Sequence, residues 1–344
     1  MSEAMQRLRR LHLIMGLQCN VRCVMCYQRD FTSRHNMPPE IYREHLAPLY
    51  PHLSHVKIQG GEPTIMPNCR DFAQMARAYP NLSLTMATNG VALSGFWLET
   101  LLEQCSHVNF SINAASGPTY DRVVKLGDFR KVLDNIGKVL ALRRAHRPKV
   151  SLSSVVIGPN LGELADFVAL GTRLGVDWVE FLVDPLLSLR HAPPAADLHA
   201  LLKRARGEAR RAGLRVDGLG ALARAAGLEA PQAGAASGPP PVCPLPANNL
   251  LVDERGDVRV CCDTWLVIGN TYQTGIAEML EGPLARGFRE KVRRGDYGWC
   301  SPQCPDNPAP RRSALWRKYL FLARRDPAGF TRKVAAKLRQ RSRL

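Results

Sequence analysis

The chain has 344 residues, 45% of them hydrophobic and 22% charged, with 47 Lys plus Arg against 30 Asp plus Glu for a formal charge of +17. That balance excludes a disordered chain, a collagen and a coiled coil. No run of about 18 apolar residues is present to cross a membrane. The opening MSEAMQRLRRLHLIMG has neither the apolar core nor the cleavage site of a signal peptide, so a cytoplasmic protein is expected.

In chain order, short apolar segments with strand character fall at residues 10–15, 55–59, 82–87, 107–112, 149–157 and 178–183. Helical patterns lie between or after them at 39–50, 69–79, 95–104, 129–145, 161–174 and 198–214. Strand and helix alternating about six times predicts parallel β/α units, with functional loops at the strands' C-terminal ends. An Ala-, Gly- and Pro-rich stretch at 223–241 reads as a linker. A cysteine-bearing module follows at 242–310.

Ten cysteines in such a chain argue against disulfides, and their clustering argues for soft-metal chemistry. Cys19, Cys23 and Cys26 form C-x3-C-x2-C just after the first strand. A [4Fe–4S] cluster ordinarily takes four cysteines, so three would leave one iron open; a zinc site with a distant fourth ligand is the alternative. The second strand ends in Gly60-Gly61-Glu62-Pro63, where two glycines admit a ligand close to the backbone and Glu62 offers an acceptor for an ammonium group. Later strands end in Thr88-Asn89-Gly90 and Ser111-Ile112-Asn113.

In order and register these motifs resemble the radical S-adenosylmethionine (radical SAM) superfamily. The resemblance implies a partial (β/α)6 TIM-like barrel over residues 1–222. It further implies a cluster on Cys19, Cys23 and Cys26 whose open iron takes the amino and carboxylate groups of SAM. Reduction then yields a 5′-deoxyadenosyl radical that abstracts a substrate hydrogen. By position, Gly60, Gly61 and Glu62 are expected at the methionine amine, Met25 near adenine, and Ser111, Asn113 and Asn160 at ribose or carboxylate. A one-electron reductant such as flavodoxin or ferredoxin is implied.

Downstream, Cys243, Gly256 and Cys261 follow C-x12-G-x4-C, and Cys300 and Cys304 complete a set. This resembles the SPASM/twitch extension of many radical SAM enzymes and implies one auxiliary [4Fe–4S] cluster on Cys243, Cys261, Cys300 and Cys304, with Cys262 a substitute for Cys261. Tetrahedral zinc on four thiolates is the alternative. With no open iron, such a cluster would conduct electrons, which suits a net oxidation. Cys105 reads as a buried residue at a helix end. Cys69 reads as core, with a hydrogen-donor role in an epimerase as the sharper option.

Within this class, oxidation or epimerisation of a polar small molecule, such as a sugar or aminocyclitol, is the leading expectation. Maturation of a ribosomally made peptide is the alternative. The eighteen residues before Cys19 leave no room for a peptide-recognition domain, which favours the small molecule. Residues 311–344 carry twelve basic residues and one acid, with an apolar stripe at Leu315, Trp316, Tyr319, Leu320 and Leu322 and a second at Phe330, Val334 and Leu338. A capping helix with a basic end is the plain reading, and contact with an anionic membrane the sharper one. A non-catalytic zinc and nucleic-acid binder is a distant alternative, because aromatics are 7% and the charge is confined to the tail.

Overall fold

The structure is a computed structural model that describes residues 3–26, 28, 35–183, 193–229, 243–301, 304, 307 and 315–331. Most of the expected linker and the end of the basic tail, with Val334 and Leu338, lie outside the described residues. Strands are numbered in chain order: β1 Arg10–Ile14, β2 Arg22–Cys23, β3 His55–Gln59, β4 Ser83–Thr88, β5 Cys105–Ser111, β6 Val124–Lys125, β7 Lys149–Val155, β8 Trp178–Leu182, β9 Arg215–Asp217, β10 Asn249–Val252, β11 Asp257–Arg259 and β12 Gly269–Asn270.

The described residues belong to two compact units. One is drawn from residues 19–26 and 55–233. Its sheet runs β3-β4-β5-β7-β8-β9 with every neighbouring pair parallel. Helices join successive strands, as parallel connections require: Pro67–Ala76, Gly95–Gln104, Phe129–Leu142, Leu164–Leu174 and Ala195–Ala212. This is the mixed α/β, partial-barrel architecture the alternation predicts. Phe129–Leu142 shows why such segments fold as they do. Asp128 caps it by accepting from Lys131 N at 3.0 Å, and Val132, Asn135, Ile136 and Val139 form one buried stripe. On Leu164–Leu174, Gly171 lets the helix lie close to the sheet, because a Cβ there would sit 2.5 Å from Val179 Cγ1.

The second unit is drawn from residues 1–18, 27–54 and 234–344. Here β1 pairs in parallel with β10, and β10, β11 and β12 continue as antiparallel neighbours. The first strand therefore packs with the cysteine module, a pairing across more than 230 residues that local pattern does not reveal. The terminal helix Leu315–Arg325 is anchored by charge. Arg325 donates to Asp253 at 2.7 Å and also to Glu254, all three being buried.

Three local expectations are corrected. Residues 39–50 form a π-helical turn at Ile41–His45 and a 3₁₀ turn at Ala47–His52 rather than one α-helix, since Pro48 and Pro51 bring no N–H to the ladder. Cys105 is buried as expected but opens β5 instead of ending a helix. Residues 223–225, expected in the linker, close the helix Leu219–Ala225.

Candidate iron–sulfur and SAM site

The cysteine loop is pinned at its middle. β2 pairs with β6 in a two-residue antiparallel ribbon, Arg22 with Lys125 and Cys23 with Val124. Val24 N extends it by donating to Val123 O at 3.0 Å, and Arg22 Nη1 closes the loop on Cys19 O at 2.8 Å. Cys19, Cys23 and Cys26 are all half-buried. Burial, reinforced by the charges of Cys26 and Cys19, pushes the Cys23 thiol up to about 12. Burial pushes Cys19 up as well, with Glu62 and Cys26 adding to it. Three partly buried thiols gathered in one loop are a donor set a bound cation would neutralise, so these residues fit a cluster.

Beside that loop, Glu62 is 1% exposed and fully occupied by the chain itself. Its Oε1 accepts from Thr64 N (3.1 Å), Thr64 Oγ1 (2.7 Å) and Thr88 Oγ1 (2.6 Å), and its Oε2 from Asn89 N (2.7 Å). Burial raises its pKa while these four bonds pull it back. Four donors match a carboxylate's acceptor capacity, so Glu62 is a strut between the loop after β3 and the turn after β4. Gly60 and Gly61 remain half-buried beside it with their backbone accessible.

Other expected contacts divide the same way. Asn113 is 3% exposed, adopts φ +61°, and accepts from Val155 N at 2.9 Å, which ties β5 to β7. Asn160, 4% exposed, donates to Asn113 O and Val155 O at 2.9 Å and accepts from Ile157 N at 2.8 Å. Both side chains tie the end of β5 to β7 and the loop after it. Ser111 and Met25 stay half-buried and accessible. Cys69 is fully buried in Pro67–Ala76, its thiol raised by burial and by Glu62, and it packs as core.

Sequence pattern places Asn89 in a strand-end motif without giving its side chain a partner. In the fold its Nδ2 lies 2.8 Å from Asn20 Oδ1 and 3.8 Å from Cys19 Sγ, seventy residues away in the chain. Gly90 follows at φ +74°, where a Cβ would meet Phe110 Cδ1 at 2.9 Å, so the turn requires glycine.

In the other unit a pocket is lined by Cys243, Cys261, Cys300 and Cys304 together with Leu245, Pro246, Asp263, Phe288, Val292 and Tyr297. Four thiols lining one mostly apolar cavity also fit a cluster. Burial, then Cys243, Asp263 and Asp296, push the Cys300 thiol up to about 12. Cys262 is exposed, outside this lining, with its Sγ 3.3 Å from Asp263 Oδ2. Gly256 turns the β10–β11 hairpin at φ +81°, which is why the C-x12-G-x4-C spacing carries a glycine there.

Residues 13–171 match the radical SAM superfamily and residues 243–305 the SPASM iron–sulfur cluster-binding domain. Mycofactocin maturase MftC of Mycobacterium ulcerans is 28% identical over 306 residues, 82% of this chain and 77% of that protein. Human molybdenum cofactor biosynthesis protein 1 is 28% identical over 181 residues, 50% of this chain. The chain spans only 28–53% of the length of the first curated relatives it matches. Among solved structures, Streptococcus suis SuiB bound to precursor peptide SuiA superposes with a TM-score of 0.60 at 13% identity, over 82% of this chain and 67% of that one. That last likeness is one of fold.

Proposed function

The chain is a radical SAM enzyme with a C-terminal SPASM domain, using SAM and iron–sulfur clusters, and we propose that it matures a ribosomally made peptide. One observation carries this reading: the likeness to mycofactocin maturase MftC extends over 82% of this chain and 77% of that protein. The fold shared with peptide-bound SuiB points the same way. These comparisons favour the peptide over the sugar or aminocyclitol that the sequence ranked first.

Cys19, Cys23 and Cys26 would hold the cluster that takes SAM, and Cys243, Cys261, Cys300 and Cys304 the auxiliary one. Loaded, the first site supplies reductive SAM cleavage and hydrogen-atom abstraction from the substrate. The chain's own residues prepare the place. The β2–β6 ribbon fixes the cysteine loop, Glu62 braces the two neighbouring loops, and the backbone at Gly60 and Gly61 leaves room for the methionine end of SAM. Ser111 is the accessible polar side chain at the end of β5. Leu245, Phe288, Val292 and Tyr297 pack around the auxiliary cysteines with Asp263 beside them. A site without an open iron suits electron transfer, and hence a net oxidation with a flavodoxin or ferredoxin as the external reductant. The zinc reading has no support from either family.

The test incubates reconstituted enzyme with SAM, dithionite and peptides encoded by small open reading frames beside its gene, against a panel of sugars and aminocyclitols. Formation of 5′-deoxyadenosine together with a peptide lighter by two hydrogens is the expected result. Turnover of a sugar or aminocyclitol with every peptide inert would return the small-molecule reading.

A further inference from the structure

The Asn89 side chain is clamped on every side. Glu62 Oε2 holds its backbone N–H at 2.7 Å, and its own Oδ1 accepts from Val91 N at 3.0 Å. That second bond assigns the amide orientation, because a flipped amide would set a donor against Val91 N–H. Nδ2 must therefore face the cysteine loop with its two hydrogens. It has two acceptors there, Asn20 Oδ1 at 2.8 Å and Cys19 Sγ at 3.8 Å, so each hydrogen has one partner. The residue is 8% exposed, so solvent does not compete for this contact. Gly90 O accepts from Asn135 Nδ2 at 2.8 Å, which fixes the turn from its other side.

Hydrogen bonds to cluster sulfurs are among the factors that set an iron–sulfur potential, and groups outside the ligand shell orient and tune the ligands. A donor stabilises the reduced cluster more, because that state places more negative charge on sulfur. We infer that Asn89 is the hydrogen-bond donor that raises the reduction potential of the cluster at Cys19, positioned for that task by buried Glu62. This makes Asn89 a positioning and tuning residue that acts through Cys19. It also accounts for the strut: Glu62 binds the backbone of Asn89, whose side chain reaches the Cys19 sulfur alongside the backbone N–H of Val21. The inference rests on the reading that Cys19, Cys23 and Cys26 carry the SAM-binding cluster.

The test uses the full-length chain, reconstituted anaerobically, with a potentiometric titration followed by electron paramagnetic resonance. The signal that changes when SAM is added identifies the cluster at Cys19. In Asn89→Ala and Asn89→Ser, iron content should match wild type and the midpoint of that signal should move to a more negative potential. Asn20→Ala leaves the Asn89 to Cys19 contact in place and should leave the midpoint where it is. An unchanged midpoint in iron-replete Asn89→Ala would overturn the inference while the cluster assignment stands. Loss of iron from both Asn89 variants would also overturn it, reducing Asn89 to a pin for the loop. A wild-type protein with no SAM-responsive signal would overturn the cluster assignment, and the inference with it.

Discussion

Asn89 and Glu62 show how little a residue's type says about its task. Both are polar residues at strand ends, where ligand contacts gather, yet the carboxylate is consumed by four protein donors and the amide reaches a cysteine. Glu62→Gln puts an NH2 group against donors, so it should lower stability by about 1–3 kcal/mol, read as a drop in thermal midpoint. For the ligands themselves, Cys19→Ala, Cys23→Ala and Cys26→Ala should each abolish 5′-deoxyadenosine formation. Residual cleavage in any one of them would remove that residue from the site. Cys261 is buried and lines the thiol pocket while Cys262 is exposed, although their thiols and the Asp263 carboxylate lie within 4.8 Å of one another. Cys262→Ala should therefore keep the auxiliary iron, and Cys261→Ala should lose it.

At the scale of elements, turns and strand faces carry the argument. Gly90→Ala imposes a side chain on a φ of +74° and crowds Phe110, for an expected cost of about 1–3 kcal/mol in chemical denaturation. On β5, burial and the nearby charge of Lys57 push His107 down to about 4, while its Nε2 lies 2.8 Å from Ser151 Oγ on β7. An unfolded histidine titrates near 6.5, so the unfolded chain binds the proton first. The stability gained by keeping His107 neutral is complete above about pH 6.5 and is lost as pH falls towards 4. Denaturation midpoints at pH 7 and pH 5 should differ less in His107→Asn than in wild type.

On the scale of the whole molecule, each unit carries its own set of cysteines. Iron analysis should give about eight irons per chain, falling to about four when Cys19, Cys23 and Cys26 are all replaced by Ala. In the unit holding the auxiliary cysteines, Arg325 is the anchor of the terminal helix. Burial disfavours its charge, but Asp253 and Glu254 outweigh that and hold its pKa above the usual arginine value. Arg325→Ala strands two buried carboxylates and should cost about 3–5 kcal/mol, seen as early unfolding of this unit. No described helix is long and apolar enough to cross a membrane.

The strands, the three-cysteine loop, the GGEP and TNG turns and the family were all legible in the sequence, because each depends on residues within a few positions of one another. Six expected strands recur within one or two residues of their ends, apart from Cys105, which joins β5 from what reads as a helix end. Tertiary structure decided the rest. Which partners a strand-end polar group meets depends on the donors and acceptors other loops deliver, as Asn113, Asn160 and Glu62 show. That Cys261 is buried and Cys262 exposed is likewise a product of the fold, which adjacency in sequence does not resolve. The pairing of β1 with β10 and the approach of Asn89 to Cys19 join residues far apart in the chain. No local periodicity encodes such contacts.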